Sequence, residues 1–264
     1  MKQEPEPTPA LKPAPETEAA PESEPEAAPE SAPESAPDLQ ELLKSLRVWD
    51  PKLTTLLPFT PDTAPAAPLP LFATWFAEAV GAGQPEPHTL SLATVDDRGR
   101  PDVRTVMLHG ADADGWSFAT HSTSRKGQDL AVTPYAALGF YWPVLGRQVR
   151  VRGPVTPAPP EESRTDLHAR STGALAAALT GHQSEILPSL ADLERRSQES
   201  WALAESSPAA PAPTWTLYRL RPDEVEFFQG DAERRHVRLR YRRERDPQRA
   251  GERGEGWSRQ LLWP

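Results

Sequence analysis

No cysteine occurs in the 264 residues. A disulfide framework and a thiolate metal site are therefore both closed to this chain. No run approaches 18 consecutive apolar residues, so no membrane-spanning helix is expected. Histidine is sparse: His88, His109, His121, His168, His182 and His236 stand apart, with no HExxH or comparable spacing, and no metal site is expected. There is no GxSxG elbow, no GxGxxG and no GxxxxGK[ST]. Serine-elbow hydrolysis and the Rossmann and P-loop phosphate cradles thus have no support.

Residues 1–38 lack aromatic side chains altogether and hold ten prolines, ten acidic residues and two lysines. Such a segment cannot bury enough apolar surface to offset its ordering entropy, so a disordered, extended Pro/Glu/Ala tail is expected. Its net charge of −8 accounts for nearly all of the chain's −9. Residues 39–264 are close to neutral and read as one folded domain. The first residues are polar and no apolar signal-peptide core follows, which makes a cytoplasmic protein the expectation.

Hydrophobic spacing divides the folded part. Asp38 with Glu41 marks a helix start, and Leu39, Leu42, Leu43 and Leu46 follow helical spacing. A proline-rich crossing segment occupies 51–70. Leu71, Phe72, Trp75, Phe76, Ala79 and Val80 then form one broad apolar helical face, ended by Gly81 and Gly83. From His88 the period drops to two. Strands are predicted over 88–95, 103–108, 116–120, 136–142, 147–155, 214–220, 224–228, 236–243 and 257–262. A short helix is predicted near 126–131 and a helical insert over about 160–206. The fold class that follows is α+β, an antiparallel barrel interrupted by helices.

Several segments could carry chemistry. Ser124-Arg125-Lys126 sits where a strand passes into a helix, a place where phosphate meets N-terminal amides and two cations. Arg104 shares a strand face with Val106 and Leu108, so its charge needs a partner. Gln148, Arg150 and Arg152 share one face of a strand, and a glutamine amide suits the edge of a heteroaromatic ring. Arg234, His236 and Arg238 alternate, which on a strand would align two guanidiniums and an imidazole roughly 7 Å apart. Eight arginines fall within 234–249, yet the rest is near neutral and carries no RNA-binding motif, so no nucleic-acid partner is expected.

These segments together resemble the pyridoxine/pyridoxamine 5′-phosphate oxidase family. The likeness runs in family order through LATVDDRGRPDVRTVML, FATHSTSRKGQDLAVTP, FYWPVLGRQVRVRG, HQSEI at 182–186 and VEFFQGDAERRHVR, with Trp257 and Pro264 at the end. The resemblance implies an FMN-binding split β-barrel that is a homodimer with FMN at its interface. It implies an oxidoreductase in which a hydride passes from substrate to flavin N5 and then to O2, giving H2O2 and pyridoxal 5′-phosphate. By position, the implied FMN contacts are Arg104, Thr105, Val106, Met107, Leu108, Ala119, Thr120, Arg125, Lys126, Gln148, Gln183, Ser184, Phe228 and Arg238. Arg125 and Lys126 would hold the flavin phosphate, and Phe228 stands where the family has Trp. Arg234 and His236 are the implied catalytic pair, with His109 and Arg170 joining them around the substrate.

The chain departs from the family where substrate phosphate is gripped. A Lys, a Tyr, an Arg and a Ser are replaced here by His109, Asp166, Arg170 and Ala174, so only the arginine survives. Asp166 would repel a phosphate dianion unless it pairs with Arg170. Leu261 stands where an arginine is usual. A family member with another substrate, of the phenazine-oxidase type, and a non-catalytic flavin- or vitamer-binding protein are the alternatives.

Overall fold

The computed structural model describes residues 38–244 and 256–264. The expected disordered tail, Asp38 apart, lies outside the described residues. Helix α1 (Leu39–Ser45) belongs to a unit that ends at Leu46. The Asp38 carboxylate caps it by accepting from the Gln40 N–H, and Glu41 lies in its first turn, where the helix dipole favours an anion.

The second unit begins at Arg47. Helix α2 (Pro68–Gly81) starts ahead of Pro70, because prolines in a first turn lack only an N–H that would have no partner there. Among the described residues ten strands follow: β1 (Thr89–Val95), β2 (Pro101–Met107), β3 (Gly110–Asp112), β4 (Gly115–His121), β5 (Tyr135–Trp142), β6 (Arg147–Pro157), β7 (Trp215–Leu220), β8 (Glu224–Gln229), β9 (Val237–Arg243) and β10 (Trp257–Leu262). Helix α3 (Arg125–Val132) lies between β4 and β5, and α4 (Pro160–His168), α5 (Thr172–Thr180) and α6 (Leu190–Ser206) lie between β6 and β7.

All the strand pairs are antiparallel. The main path is β10-β9-β8-β6-β5-β1-β2, while β4 pairs with β3 and β7. Strand β6 joins the two parts. Its Arg147–Arg152 portion pairs with β8, and its Val155–Pro157 end pairs with β7. Its residues alternate strictly between buried and exposed from Arg147 to Thr156, so one strand lines the barrel interior with Val149, Val151 and Val155. The architecture is the expected one, an antiparallel split barrel with a helical insert.

The apolar face of α2 fills the barrel. Phe72 meets Trp116 and Phe140 at ring-centroid distances of 5.5 and 5.1 Å, and Trp75 meets Phe227 at 5.2 Å. The Arg147 guanidinium lies 4.2 Å over the Trp75 ring and pairs with Glu78, which offsets the cost of burying its charge. A smaller core of Leu167, Leu175, Ala176, Ala178 and Ala204 holds the insert together.

Two features add detail to the expected fold and one expectation needs correction. Strand β3 is too short to register as a period. The insert is helical as expected and consists of three helices, with left-handed turns at His182 (φ 53°) and Ser184 (φ 77°) between α5 and α6. Arg234, His236 and Arg238 do not share a strand face: β9 starts only at Val237, and Arg234 sits in a turn with φ 66°. The turn is organised by Asp231, whose carboxylate accepts from the Glu233 and Arg235 N–H groups.

Candidate functional site

Three polar corners assemble from the residues singled out in the sequence. The first surrounds the N-terminus of α3. Ser124 caps the helix by accepting from the Gly127 N–H. Lys126 is buried, with 8 % of its surface exposed. Its Nζ donates to Gln183 Oε1 at 3.0 Å and to Thr120 Oγ1 at 3.2 Å. The Thr120 hydroxyl also donates to Gln183, at 2.9 Å. The Arg125 N–H donates to Ser184 Oγ at 3.2 Å. The left-handed turns at 182 and 184 therefore bring Gln183 and Ser184 onto the same helix end as Arg125 and Lys126.

Charge is distributed unevenly there. Asp129, 3 % exposed, takes the Arg125 guanidinium at 3.2 Å and the Arg104 guanidinium at 3.7 Å. Arg104 also pairs with Asp102 at 2.6 Å and donates to Thr94 Oγ1 at 2.7 Å, which supplies the partner its strand position demanded. Asp96 holds Arg125 from the other side at 3.2 Å. Among the described residues no carboxylate lies within 4.0 Å of Lys126. Burial, reinforced by Arg104, pulls the lysine pKa below its ordinary value against a weaker opposing pull from Asp102. His121, whose Nδ1 lies 2.8 Å from Thr214 Oγ1, is likewise lowered by burial and by Lys126.

The second corner is a cleft of about 190 Å³ lined by Gln148, Arg150, Glu226, Phe228, Arg238 and Pro264. Gln148 and Arg150 come from the exposed face of β6, and Glu226 and Phe228 from β8, with Gln148 directly opposite Phe228. Glu226 is buried at 5 % exposure and pairs with both Arg150 and Arg238, the latter at 2.9 Å. Arg238 also donates to the Trp263 carbonyl at 2.8 Å. The sequence reading missed Glu226. Its signal was there: it alternates with Phe228 on β8 and faces Arg150 across the ladder.

The third corner joins strand β2 to the helical insert. His109 Nδ1 lies 2.9 and 3.0 Å from the two Asp166 carboxylate oxygens. An ionised carboxylate only accepts, so Nδ1 carries the hydrogen. Arg170, one turn further on, donates to the same carboxylate at 3.1 and 3.3 Å. Burial alone would raise the Asp166 pKa, but the hydrogen bonds and charges of His109 and Arg170 outweigh it and hold the carboxyl below the usual aspartate value. The pairing between Asp166 and Arg170 that the sequence left open is thus present, and Asp166 takes up the charge of Arg170. Ala174, on α5, brings no polar group to this corner.

The other site residues are placed as follows. Thr105 and Met107 are exposed on β2, and Val106 packs against the main core. Leu108 lies just beyond β2 and also packs on that core. Ala119 neighbours Thr120 on β4. His236 accepts from the Asp231 N–H at 3.1 Å and meets the Phe228 ring, tilted, at a centroid distance of 5.2 Å, which brings it to the edge of the second corner. Arg234 is exposed. Among the described residues no cluster of His, Cys, Asp or Glu could hold a metal ion, and no helix is long and apolar enough to cross a membrane.

Comparison with known proteins places the chain. Residues 76–204 match the pyridoxamine 5′-phosphate oxidase family, and residues 215–264 match the pyridoxine 5′-phosphate oxidase C-terminal dimerisation region. A pyridoxine/pyridoxamine 5′-phosphate oxidase of Paraburkholderia xenovorans (strain LB400) is 46 % identical over 176 residues, covering 67 % of this chain and 82 % of that protein. The crystal structure of PhzG from Burkholderia lata 383, in complex with tetrahydrophenazine-1-carboxylic acid, superposes with a TM-score of 0.71 at 33 % identity, covering 80 % of this chain and all of that one. An FMN-binding, pyridoxamine 5′-phosphate oxidase-related protein from Nostoc punctiforme PCC 73102 shares the fold at a TM-score of 0.56 and 22 % identity, covering 73 % of this chain and 97 % of that one. The two matched regions contain every residue of the three corners but Thr214, and the chain belongs to the pyridoxamine 5′-phosphate oxidase family.

Proposed function

We propose that this protein is an FMN-dependent oxidase that works as a homodimer. One observation carries the proposal: Lys126 is a buried cation with no carboxylate partner among the described residues, set beside the N-terminus of α3 among neutral oxygens of Thr120, Ser124 and Gln183. A buried charge needs a counter-charge, and a phosphate monoester supplies one while accepting from helix-end amides. The residues present therefore fit a flavin mononucleotide.

Lys126 and the α3 terminus hold the phosphate, with Ser184 and Gln183 closing that end and Arg104 and Arg125 oriented by Asp129. Gln148, Phe228 and Arg238 receive the ring. The Gln148 amide offers a donor and an acceptor to its edge, and Phe228 provides an apolar wall that keeps water away. The chemistry FMN supplies when bound is acceptance of a hydride at N5 and return of the electron pair to dioxygen, which leaves as hydrogen peroxide. His236, held by Asp231, and Arg234 orient the substrate. The match to the dimerisation region supports the homodimer.

A second substrate class is favoured by the third corner. With Arg170 and His109 both turned onto Asp166, little positive charge is left for the phosphate of a B6 vitamer. A ring acid of lower charge, of the kind bound in the PhzG complex, makes a smaller electrostatic demand. The test is the visible spectrum of the purified protein, then peroxide release with pyridoxamine 5′-phosphate and with a dihydrophenazine carboxylate. A yellow protein that releases peroxide is expected. A protein that binds FMN yet passes no electrons to oxygen would be a flavin carrier, and one that binds no FMN would overturn the proposal. Restoring the grip with His109→Lys, Asp166→Tyr and Ala174→Ser should lower KM for pyridoxamine 5′-phosphate more than it changes kcat.

A further inference from the structure

Trp49 lies ahead of both matched regions, in a short segment tied to the barrel. The Thr55 N–H donates to the Val144 carbonyl at 2.7 Å, and the Thr54 hydroxyl donates to the Pro143 carbonyl at 3.1 Å. Trp49 itself has φ 57°, a left-handed conformation that is strained for a bulky residue. Its indole Nε1 is buried and has no hydrogen-bond partner among the described residues. Backbone strain and a wasted donor at one residue imply that its placement is held by something else.

What holds it is a seat made of glycine backbone and an imidazole. A Cβ on Gly230 would lie 2.7 Å from Trp49 Cζ2, and one on Gly146 would lie 2.4 Å from Leu56 Cδ2. The two glycines hydrogen-bond to each other, Gly230 N–H to Gly146 carbonyl at 2.8 Å. On this floor the Trp49 ring meets the edge of His236 at 5.2 Å and an interplanar angle of 81°. Phe228 touches the same imidazole at 5.2 Å and 43°. The Asp231 N–H donates to its Nδ1 at 3.1 Å, which leaves Nε2 to carry the hydrogen in the neutral ring. The imidazole is thus gripped by two aromatic rings and one amide.

We infer that Trp49 is a positioning residue for His236, fixing the imidazole plane so that Nδ1 faces Asp231 and the Nε2 hydrogen is presented to the site. This rests on the proposed role of His236 with the substrate. A ring held by one hydrogen bond alone could turn about its χ2 torsion. Trp49 and Phe228 remove that freedom.

The test uses the full-length protein and nitrogen-15 labelled histidine, read at about pH 8.5, well above the range in which an ordinary imidazole takes up a proton. The native protein should show a His236 signal pair for one tautomer, hydrogen on Nε2. Trp49→Ala should collapse it toward the mixed-tautomer average and lower kcat for peroxide release with pyridoxamine 5′-phosphate by roughly ten- to a hundredfold, the range a misplaced catalytic group gives. Trp49→Phe should restore most of both. Gly230→Ala pushes Trp49 off its seat without altering it. It should reproduce the loss in the native background and add little to Trp49→Ala, which keeps the test decisive even where Trp49→Ala folds poorly. A single fixed tautomer in both Trp49→Ala and Gly230→Ala would overturn the inference. His236→Asn separates the two claims. If it leaves peroxide release intact while Trp49→Ala still frees the ring, the positioning stands and the catalytic role of His236 falls.

Discussion

Two corners of this protein bury cations in opposite ways. At α3, Asp129 and Asp96 take up arginines, yet among the described residues Lys126 meets only neutral oxygens. At the insert, Asp166 draws in both His109 and Arg170. The first arrangement is electrostatically incomplete among the described residues, and the phosphate of the proposed FMN would complete it. The second is complete by itself. Under the proposed function, the contrast marks where negative charge on a ligand would be taken up and where Asp166 already supplies it.

The contrast can be broken most forcefully at Lys126. Lys126→Met should weaken FMN binding by at least tenfold, corresponding to a lost charge-assisted contact of about 1.5–3 kcal/mol. The same change should leave the flavin-free protein equally or more stable, because an unpaired buried charge is gone. Flavin titration and thermal melts of both forms check this. A holoprotein with unchanged affinity would show that the phosphate lies elsewhere.

Next in size is the insert. Asp166→Asn should release Arg170 and His109 and lower KM for pyridoxamine 5′-phosphate severalfold, while costing stability through the lost ion pairs. If KM rises instead, Asp166 contributes to binding rather than blocking it.

Titration sharpens the contrast further, since the two corners answer to opposite ends of the pH scale. The Asp166 pKa is held below its ordinary 3.8, so its stabilisation is present above about pH 4 and fades as pH falls through the lowered value. Acid unfolding of Asp166→Asn should lack that component. The Lys126 pKa is pulled below 10.5. FMN affinity should therefore begin to fall with rising pH before an ordinary lysine would titrate. In the flavin-free protein the sign reverses: the burial cost is present below the folded pKa and fades as pH rises toward 10.5. Ser184→Ala should give the smallest effect, a fewfold loss of FMN affinity, because a neutral hydroxyl is the only group removed.

Much of the fold was legible in the sequence, because apolar residues repeat with the right period. The face of Leu71, Phe72, Trp75 and Ala79 and the alternation through Val149, Val151 and Val155 each had one consistent interpretation. The corner at Ser124-Arg125-Lys126 was legible as a strand-to-helix junction. What was illegible depended on contacts distant in sequence or on backbone sign. Alternation put Arg234 on a strand, whereas the Asp231 carboxylate folds the chain into a turn there. Gln183 reaches Lys126 only because His182 and Ser184 adopt left-handed conformations, which no local pattern announces. Asp129 was hidden because its second partner, Arg104, lies on another element, and Glu226, though it alternates with Phe228, takes its meaning from Arg150 and Arg238 on neighbouring strands.

Strand β6 serves both parts of the barrel, pairing with β5, β8 and β7 along eleven residues. Neither part can come apart without breaking hydrogen bonds on this strand. The barrel should therefore lack a sub-global opening that frees one part alone, and the amides of Val149 and Val155, though they face different neighbours, should exchange with solvent at one common free energy, that of global unfolding. The Gln148–Arg150 corner near one end of the strand and the helical insert that follows the other end then gain or lose their rigidity together, so a ligand that tightens one should slow exchange at the other.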